Sequence, residues 1–355
     1  MSRLVELNVS IAQTPAPTGH ETLRGELVSN LWRAAGLTPS RDEVGNVSAD
    51  LPGGSGPRVA LVAHLDSVFG AEVDVSVREA DGRLLGPGIG DDAAGLAVLT
   101  ELVETLDTQA RRPRVTLVAT IGEEGLGDLK GAKHFVKTRG AEFDHFVAID
   151  GHLGSIVLSA VGSKRYEARF KAGGGHAWGD YPSPSAVHAA GEAIAALARL
   201  HVPRAPRSSL NVGQIGGGTS INAIAASAWF NLDLRSVDKE SLVTLEGAAL
   251  KAIEGAAASS GVEVEIVCVG DRPAASADNA ELVTAAERAL AAVDVPARRA
   301  AGSTDANAAL AAGMSAIAFG VYRGGNAHRL DEWLDPASLA HGKRALLKLL
   351  ELLAR

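Results

Sequence analysis

The chain has 355 residues, of which 46% are hydrophobic, 21% charged and 4% aromatic, a composition typical of a folded protein with two domains. Its 34 basic and 42 acidic residues give a net charge of −8, which argues against nucleic acid or an anionic membrane as partner. The single cysteine, Cys268, excludes an internal disulfide. A small molecule or a peptide is the expected partner.

The N-terminal segment, MSRLVELNVSIAQ, lacks the apolar core of a secretory signal. No uninterrupted run of about 20 apolar residues occurs, which argues against a membrane span. We therefore expect a cytoplasmic protein.

Apolar, β-rich runs alternate with helical patterns in the first 150 residues. The runs predict buried strands at Arg58–His64, Arg114–Ile121 and Phe143–Asp150. Apolar spacing near 3.6 predicts helices at Asp92–Leu106 and Asp128–Thr138. This alternation predicts an α/β fold with a mostly parallel sheet flanked by helices.

The pattern changes from about Gly162 to Gly270, where the predicted order of elements is βαββαβ. The predicted strands are 164–171, one around Asn211, 226–234 and 263–269, and the predicted helices are 183–201 and 239–258. This order is typical of a ferredoxin-like sandwich with both helices on one face.

The α/β pattern resumes after Pro273, with a helix near 280–293, a strand at 316–321 and a terminal helix at 336–353. The middle segment is therefore predicted to be an insertion. The expected domains are residues 1–161 together with 271–355, and residues 162–270.

Polar residues follow the three predicted strands of the first half. His64 ends the first predicted strand and Asp66 comes two residues later, Glu123 and Glu124 follow the second, and Asp150 ends the third. Because ligands bind at the carboxyl ends of strands in open α/β sheets, we expect these side chains to meet at one edge.

Asp91 and Asp92 follow a glycine-rich segment that begins at Gly86. Paired carboxylates would repel phosphate, which argues against a nucleotide loop, whereas as helix caps they would be ordinary. His328 lies in a second glycine-rich loop. Histidine and carboxylate ligands suit zinc, and more acids than one tetrahedral site needs indicate two ions.

These motifs, in this order and spacing, resemble a family of co-catalytic zinc metallopeptidases. The family includes acetylornithine deacetylase, succinyl-diaminopimelate desuccinylase, aminoacylase, carboxypeptidase G and the tripeptidase PepT. The resemblance covers essentially the whole chain. It implies a zinc-peptidase-like catalytic domain with an inserted lid and dimerisation domain, and two divalent ions, zinc or else manganese or cobalt.

The resemblance also implies the metal ligands. One zinc would be held by His64, Asp91 and Asp150, and the other by Asp91, Glu124 and His328. Asp91 would therefore bridge the two ions.

Five further residues match positions of the family motifs. Asp66 resembles the acid that orients His64, and Glu123 resembles the general base that takes a proton from the metal-bridging water. His176, in Gly174-Gly175-His176-Ala177, resembles the histidine that reaches the partner subunit's active site in dimeric members. Asn222 and Arg235 resemble the residues that bind a substrate carboxylate, although Arg235 also suits an ordinary ion-paired arginine of a strand.

The sequence departs from the family at one position and leaves one ligand open. Family members commonly carry lysine after the paired aspartates, where this chain has Ala93. His152, two residues past Asp150, is an alternative ligand, although a turn histidine is the simpler interpretation.

The expected function is hydrolysis of an amide bond in small peptides, as in a tripeptidase or aminopeptidase. The alternatives are an N-acyl-amino-acid deacylase, a carboxypeptidase, and a non-catalytic protein that only binds peptides or amino acids. The chain has no Gly-x-Ser-x-Gly elbow of a serine hydrolase and no His-Glu-x-x-His helix of a single-zinc protease. A homodimer formed through the inserted domain is expected.

Overall fold

The computed structural model describes residues 2–105 and 112–354. The chain forms two compact units, which we call the split unit (Met1–Ala160 and Ser276–Arg355) and the inserted unit (Val161–Ala275). The inserted unit ends later than the expected residue 270, because its last strand continues to Arg272.

Seven helices and twelve strands belong to the described part of the split unit. The helices are α1 (Arg3–Ala12), α2 (Thr22–Ala34), α3 (Ala93–Thr105), α4 (Lys130–Arg139), α7 (Ala280–Ala291), α8 (Ala306–Ala311) and α9 (Pro336–Leu353). The strands are β1 (Ser40–Arg41), β2 (Val47–Asp50), β3 (Arg58–His64), β4 (Arg78–Ala80), β5 (Arg83–Leu85), β6 (Arg114–Thr120), β7 (His145–Ala148), β8 (Ser155–Ala160), β15 (Arg298–Gly302), β16 (Ser315–Phe319), β17 (Arg323–Gly325) and β18 (Trp333–Asp335).

The main sheet of the split unit has the strand order β1-β2-β6-β3-β7-β16-β8-β15. Its centre, β6-β3-β7-β16, is parallel, while β2 joins β6 and β8 joins β16 in antiparallel pairs. Strand β3, with the sequence RVALVAH, is buried at all but its first residue. Such a continuous apolar run is expected of a strand covered on both faces, and the predicted mostly parallel sheet is confirmed.

Helix α3 lies in the core of the split unit. Its first eight residues, AAGLAVLT, are all buried, so the helix is apolar all round rather than amphipathic. It packs against α1, and Trp32 of α2 donates from Nε1 to Thr100 Oγ1 at 3.1 Å. Helix α3 therefore packs against both α1 and α2. Leu106, the last residue of the predicted helix, lies outside the described residues.

A second sheet of the split unit has the antiparallel order β17-β18-β5-β4. Strand β18 pairs with β5 in the register Trp333↔Leu85 and Leu334↔Leu84. Because β5 precedes Asp91 and β18 follows His328, this pairing brings two distant parts of the sequence together.

The inserted unit has the predicted βαββαβ order around a four-stranded antiparallel sheet. Its elements are β9 (Gly162–Lys171), β10 (Gly175–His176), α5 (Ala186–Ala198), β11 (Ser208–Gly217), β12 (Ala223–Ile224), β13 (Ser227–Ser236), α6 (Lys239–Ser259) and β14 (Glu263–Arg272). The sheet order is β11-β13-β9-β14. The two short strands β10 and β12 form a separate antiparallel pair.

The inserted unit has its own core. Phe170 and Phe230 are buried between the sheet and the helices α5 and α6, which also pack on each other. The packing accounts for the alanine-rich face of α5, because small side chains permit a close approach of the helix. Among the described residues, no helix has the length and apolar character needed to cross a membrane.

Candidate metal centre

Three neighbouring parallel strands bring their carboxyl ends to one edge of the main sheet. In the order β6-β3-β7, His64 is the last residue of β3, Glu123 and Glu124 follow β6, and Asp150 follows β7. The side chains of His64, Glu123 and Glu124 are 2%, 5% and 7% exposed. Four residues that the sequence predicted to meet are thus placed at the same edge.

Asp91 and Asp92 precede α3 and have different roles. Asp92 caps the helix, since its Oδ1 accepts the N–H of Gly95 at 3.1 Å, and its Oδ2 accepts the N–H of His64 at 3.1 Å. Asp91 makes its side-chain contacts with imidazoles instead. One acid of the pair is therefore structural, and the other faces the cluster of ionisable groups.

Asp91 lies between two histidines. Its Oδ1 is 2.9 Å from Nε2 of His64, and its Oδ2 is 3.1 Å from Nε2 of His328. The same nitrogen of His328 is 2.8 Å from Oε1 of Glu124. Asp91 thus has one carboxylate oxygen on each side, as a bridging ligand requires.

The described residues contain three overlapping groups whose ligand atoms lie within 4.8 Å of one another. They are His64 with Asp91 and Asp150, Asp91 with Glu124 and His328, and His64 with Glu123 and Glu124. The first two groups have the composition expected for the two ions. The assignment of these residues as ligands stays a prediction. The third group shares His64 with the first group and Glu124 with the second, so Glu123 lies beside both of those groups.

Asp66 contacts both His64 and the Glu123-Glu124 segment of this cluster. It is fully buried, and its two carboxylate oxygens accept the N–H groups of Glu123 at 2.9 Å and Glu124 at 2.8 Å. Thr18 Oγ1 also donates to Asp66 at 2.9 Å, a contact that the sequence analysis did not identify. Nδ1 of His64 lies 3.0 Å from the main-chain oxygen of Asp66 and 3.6 Å from its Oδ1. Asp66 therefore holds the Glu123-Glu124 segment as well as His64.

The imidazoles are strongly coupled to the acids. Burial disfavours the charged form of His64, but hydrogen bonds to Asp66 and Asp91 outweigh it and hold its pKa well above the usual value. Hydrogen bonds to Asp91 and Glu124 raise the pKa of His328 to about 10. Burial opposes ionisation of Asp91, but His328 and His64 hold its pKa below the usual range. The cluster therefore attracts positive charge.

The donor set suits divalent metal ions. Burial, together with the charge of Asp91, raises the pKa of Asp150 to about 7. Buried carboxylates this close together are costly unless cations compensate them. Nitrogen and oxygen donors in this mixture are typical of zinc and similar ions. The residues thus fit two divalent cations.

His176 and Asn222 lie side by side in the inserted unit, on the β10–β12 pair. His176 is paired with Ala223, and the N–H of Ala177 donates to the main-chain oxygen of Asn222 at 2.9 Å. Gly174 and Gly175 precede His176 with φ of +70° and +152°, a backbone conformation that favours glycine. This accounts for the Gly-Gly part of the motif.

The imidazole of His176 is exposed and has a defined tautomer. Its Nδ1 accepts the N–H groups of Trp178 and Gly179, both at 3.2 Å. Nε2 must therefore carry the proton in the neutral ring. His176 presents an N–H donor to its surroundings.

Arg235 is placed far along the sheet from these two residues. It pairs with Ser163 across β13 and β9, whereas His176 and Asn222 lie beyond the opposite end, where Ser227 pairs with Lys171. Arg235 lies eight residues after Ser227 along β13, which corresponds to about 26 Å. Nε of Arg235 donates to Asp233 Oδ2 at 2.7 Å. The inserted unit of one chain thus does not bring its three predicted residues together.

His152 lies outside the three ligand groups found among the described residues. Its ring packs on Tyr322, with centroids 5.1 Å apart. Tyr322 is itself buried against Gly90, where an added Cβ would lie 2.4 Å from the tyrosine ring. Ala93, which replaces the lysine common in the family, is fully buried as the first residue of α3.

Glu332 is a buried acid that the sequence analysis missed. Its carboxylate accepts three main-chain N–H groups of the segment leading to Asp91. The available signal was its position, four residues after His328 and directly before a short apolar strand.

Solved structures resemble the chain over nearly its full length. Aminopeptidase PepT from Bacillus cereus has a TM-score of 0.80 and 23% identity, and the match covers 99% of this chain and 98% of that one. A tripeptidase from Staphylococcus aureus has a TM-score of 0.84, 23% identity and the same coverage. The YxeP protein of Bacillus subtilis, a dinuclear metal-binding peptidase, has a TM-score of 0.68 and 18% identity, with 98% and 97% coverage.

These similarities establish the fold. A comparison with curated protein sequences gives no significant match. The model of peptidase family M20/M25/M40 matches residues 60–352, which is most of the chain. The chain therefore belongs to peptidase family M20/M25/M40, and it is an enzyme of the metallopeptidase type.

Proposed function

We propose that this enzyme hydrolyses the amide bond of small peptides, as a tripeptidase or aminopeptidase does. The observation that carries the proposal is the pair of ligand groups that share Asp91, with the carboxylate of Glu123 beside them. Similarity in fold to a tripeptidase and to PepT supports the substrate class.

We propose zinc as the metal, with manganese or cobalt as alternatives. His64, Asp91 and Asp150 would hold one ion, and Asp91, Glu124 and His328 the other. When bound, such ions polarise the scissile carbonyl and lower the pKa of water, so that it attacks at neutral pH.

Glu123 is the residue that we propose moves the proton in this reaction. Its carboxylate lies in the group with His64 and Glu124, and Asp66 fixes its main chain through the 2.9 Å hydrogen bond. In the proposed mechanism it accepts a proton from the attacking water and then donates one to the leaving amine. Its side chain is buried.

His176 is suited to stabilise the oxyanion of the tetrahedral intermediate. Its Nε2–H is available because Nδ1 accepts two main-chain N–H groups. A hydrogen-bond donor directed at the developing negative charge contributes strongly to the rate of amide hydrolysis.

Arg235 and Asn222 would bind the substrate carboxylate. A tripeptide extends over only about 10 Å, whereas about 26 Å of strand separates Arg235 from the end of the sheet near His176 and Asn222. One chain therefore cannot present all three residues to the same substrate. This supports a homodimer in which His176 and Asn222 of one chain complete the site of the other.

The proposal is tested with a panel of substrates assayed in the presence of zinc, manganese or cobalt. Dipeptides and tripeptides should be cleaved faster than N-acetyl and N-succinyl amino acids, and products should show cleavage at the N-terminal bond. Faster turnover of N-acyl amino acids would show that the enzyme is a deacylase and not a peptidase. Release of C-terminal residues would show that it is a carboxypeptidase. If the protein binds peptides but cleaves none of them with any of the three metals, the proposed hydrolytic activity is wrong.

A further inference from the structure

Glu332 lies where two ligand-bearing segments of the split unit meet. It follows His328 by four residues and directly precedes β18, which pairs with β5. Its main-chain oxygen accepts the N–H of Gly86 at 3.0 Å, which extends that pairing into the segment leading to Asp91. The backbone of Glu332 thus joins the chain after His328 to the chain before Asp91.

The side chain of Glu332 holds the same segment more tightly. Oε2 accepts the N–H of Gly88 at 2.9 Å, and Oε1 accepts those of Gly90 at 2.8 Å and Asp91 at 3.1 Å. Gly88 has a φ of +71°, a conformation that favours glycine, and the three N–H groups converge on one carboxylate. Such converging N–H groups form a concave anion-binding site, and here the anion is a carboxylate of the same chain.

Burial of the Glu332 carboxylate has an electrostatic cost, which its three main-chain hydrogen bonds offset. Glu332 is 1% exposed, and burial raises its pKa to about 7 against the opposing effect of the N–H of Gly90. The charge of the nearby Asp91 acts in the same direction as burial. An apolar residue would avoid both penalties but would leave three N–H groups without an acceptor.

The geometry points to Glu332 as a positioning residue of the metal centre, which sets the place of the Asp91 carboxylate relative to His328. It acts through the main chain of Asp91 and through its own short connection to His328. Because Asp91 faces both His64 and His328, an error in its position affects both ion sites. This inference rests on the metal centre of the proposed function.

The test is the binding of Co²⁺ to Glu332→Gln, with metal-free protein as the starting material. Glutamine has one oxygen acceptor, and its NH₂ group must face an N–H donor, so the Asp91 segment shifts. We expect a 10–100-fold loss of Co²⁺ affinity, as for other residues that support metal ligands. The visible spectrum of the bound Co²⁺ should change, and kcat at saturating metal should fall more than KM rises.

Asp42→Asn is the matched control. Asp42 also accepts three main-chain N–H groups, from Val44, Gly45 and Asn46 at 2.9–3.1 Å, but it belongs to none of the ligand groups. Both metal-free variants should unfold at similar temperatures. Only Glu332→Gln should change the Co²⁺ affinity and spectrum.

Three outcomes decide the inference. Wild-type affinity and spectrum in Glu332→Gln, while the wild-type chain binds Co²⁺, would overturn it and leave the proposed function intact. A wild-type chain that binds no Co²⁺ would overturn both. If Glu332→Gln does not fold, Glu332→Asp, which keeps the charge on a shorter side chain, decides by the same affinity and spectrum.

Discussion

The cluster around Asp91 and the loop around His176 contrast in how their side chains are held. His64, Glu123 and Glu124 are buried beside Asp91, although His328 is half exposed, and Asp66 fixes the Glu123-Glu124 segment through two hydrogen bonds. His176 is exposed, and its ring accepts hydrogen bonds from the main chain of Trp178 and Gly179, which are close to it in the sequence. The three ligand groups thus lie within the split unit, whereas the proposed donor His176 is held by its own loop in the inserted unit.

The largest expected effect separates Glu123 from Glu124. Glu123→Ala should keep its metal and lose about 10²–10⁴-fold in turnover, which is the usual contribution of a general base. Glu124→Ala should lose metal instead, because its carboxylate is a predicted ligand. Turnover and metal content of the two purified variants check this. Metal loss at Glu123 with retention at Glu124 would reverse the assignment.

His176→Ala tests the other side of the comparison. Loss of an oxyanion donor should lower kcat by about 10²–10³-fold with metal content unchanged. The exposed His201, in the same unit, provides the control variant His201→Ala, which should retain activity. A fully active His176→Ala chain would make His176 an ordinary surface histidine.

Mixing inactive chains tests whether His176 acts across a dimer. His176→Ala and Glu123→Ala chains that exchange subunits would form mixed dimers with one intact site and one site lacking both groups. Activity should return to about one quarter of wild type at equal mixing, because half the dimers are mixed. Absence of recovery despite proven exchange would place His176 in the site of its own chain.

Asp66→Asn should have an intermediate effect. An asparagine offers one acceptor oxygen to the N–H groups of Glu123 and Glu124, so the base and a ligand both shift. We expect a 10–100-fold loss of metal affinity together with a lower kcat. Asp238→Asn, which alters an acid that caps α6 in the inserted unit, is the control and should leave metal affinity unchanged. Equal affinities in the two variants would contradict the supporting role of Asp66.

Arg235→Ala should have the smallest effect, a rise in KM of about 10-fold with little change in kcat, since a hydrogen bond to a charged group contributes about 1.5–3 kcal/mol. Arg165→Ala is the matched control, because Arg165 donates to the other oxygen of Asp233 at 2.9 Å. Similar kinetics for the two variants would reduce Arg235 to an ion-paired arginine of the strand.

The sequence predicted the parts of the fold that are governed by local apolar patterns. Strand β3 matches its prediction at both ends, because every residue after Arg58 is buried and the pattern is unbroken. Strand β7 starts later than predicted, because Phe143 donates its N–H to the main-chain oxygen of Gly140 in a turn and packs without pairing. Ile149, just past the end of β7, still donates its N–H to the main-chain oxygen of Val62 in β3. Helix α1 was missed because Val5, Val9 and Ile11 favour strand locally, while packing against α3 stabilises the helix.

The site was predictable where ionisable residues follow strands, as His64 and Asp150 do. The main-chain contacts of Asp66 and Glu332 were not predictable from the sequence. Any residue except proline has a main-chain N–H, so the sequence does not show which N–H groups a distant carboxylate accepts. The distance between Arg235 and His176 depends on strand register, which spacing along the chain does not show.

The central claim is that the split unit holds two divalent ions through a shared Asp91. The most direct measurement is the metal content of the wild-type chain after saturation with zinc and removal of the excess, with Asp91→Asn alongside. We expect two ions per chain, loss of both from Asp91→Asn, and loss of activity when chelator removes them. One ion or fewer per wild-type chain at saturation, with full activity retained in chelator, would contradict it.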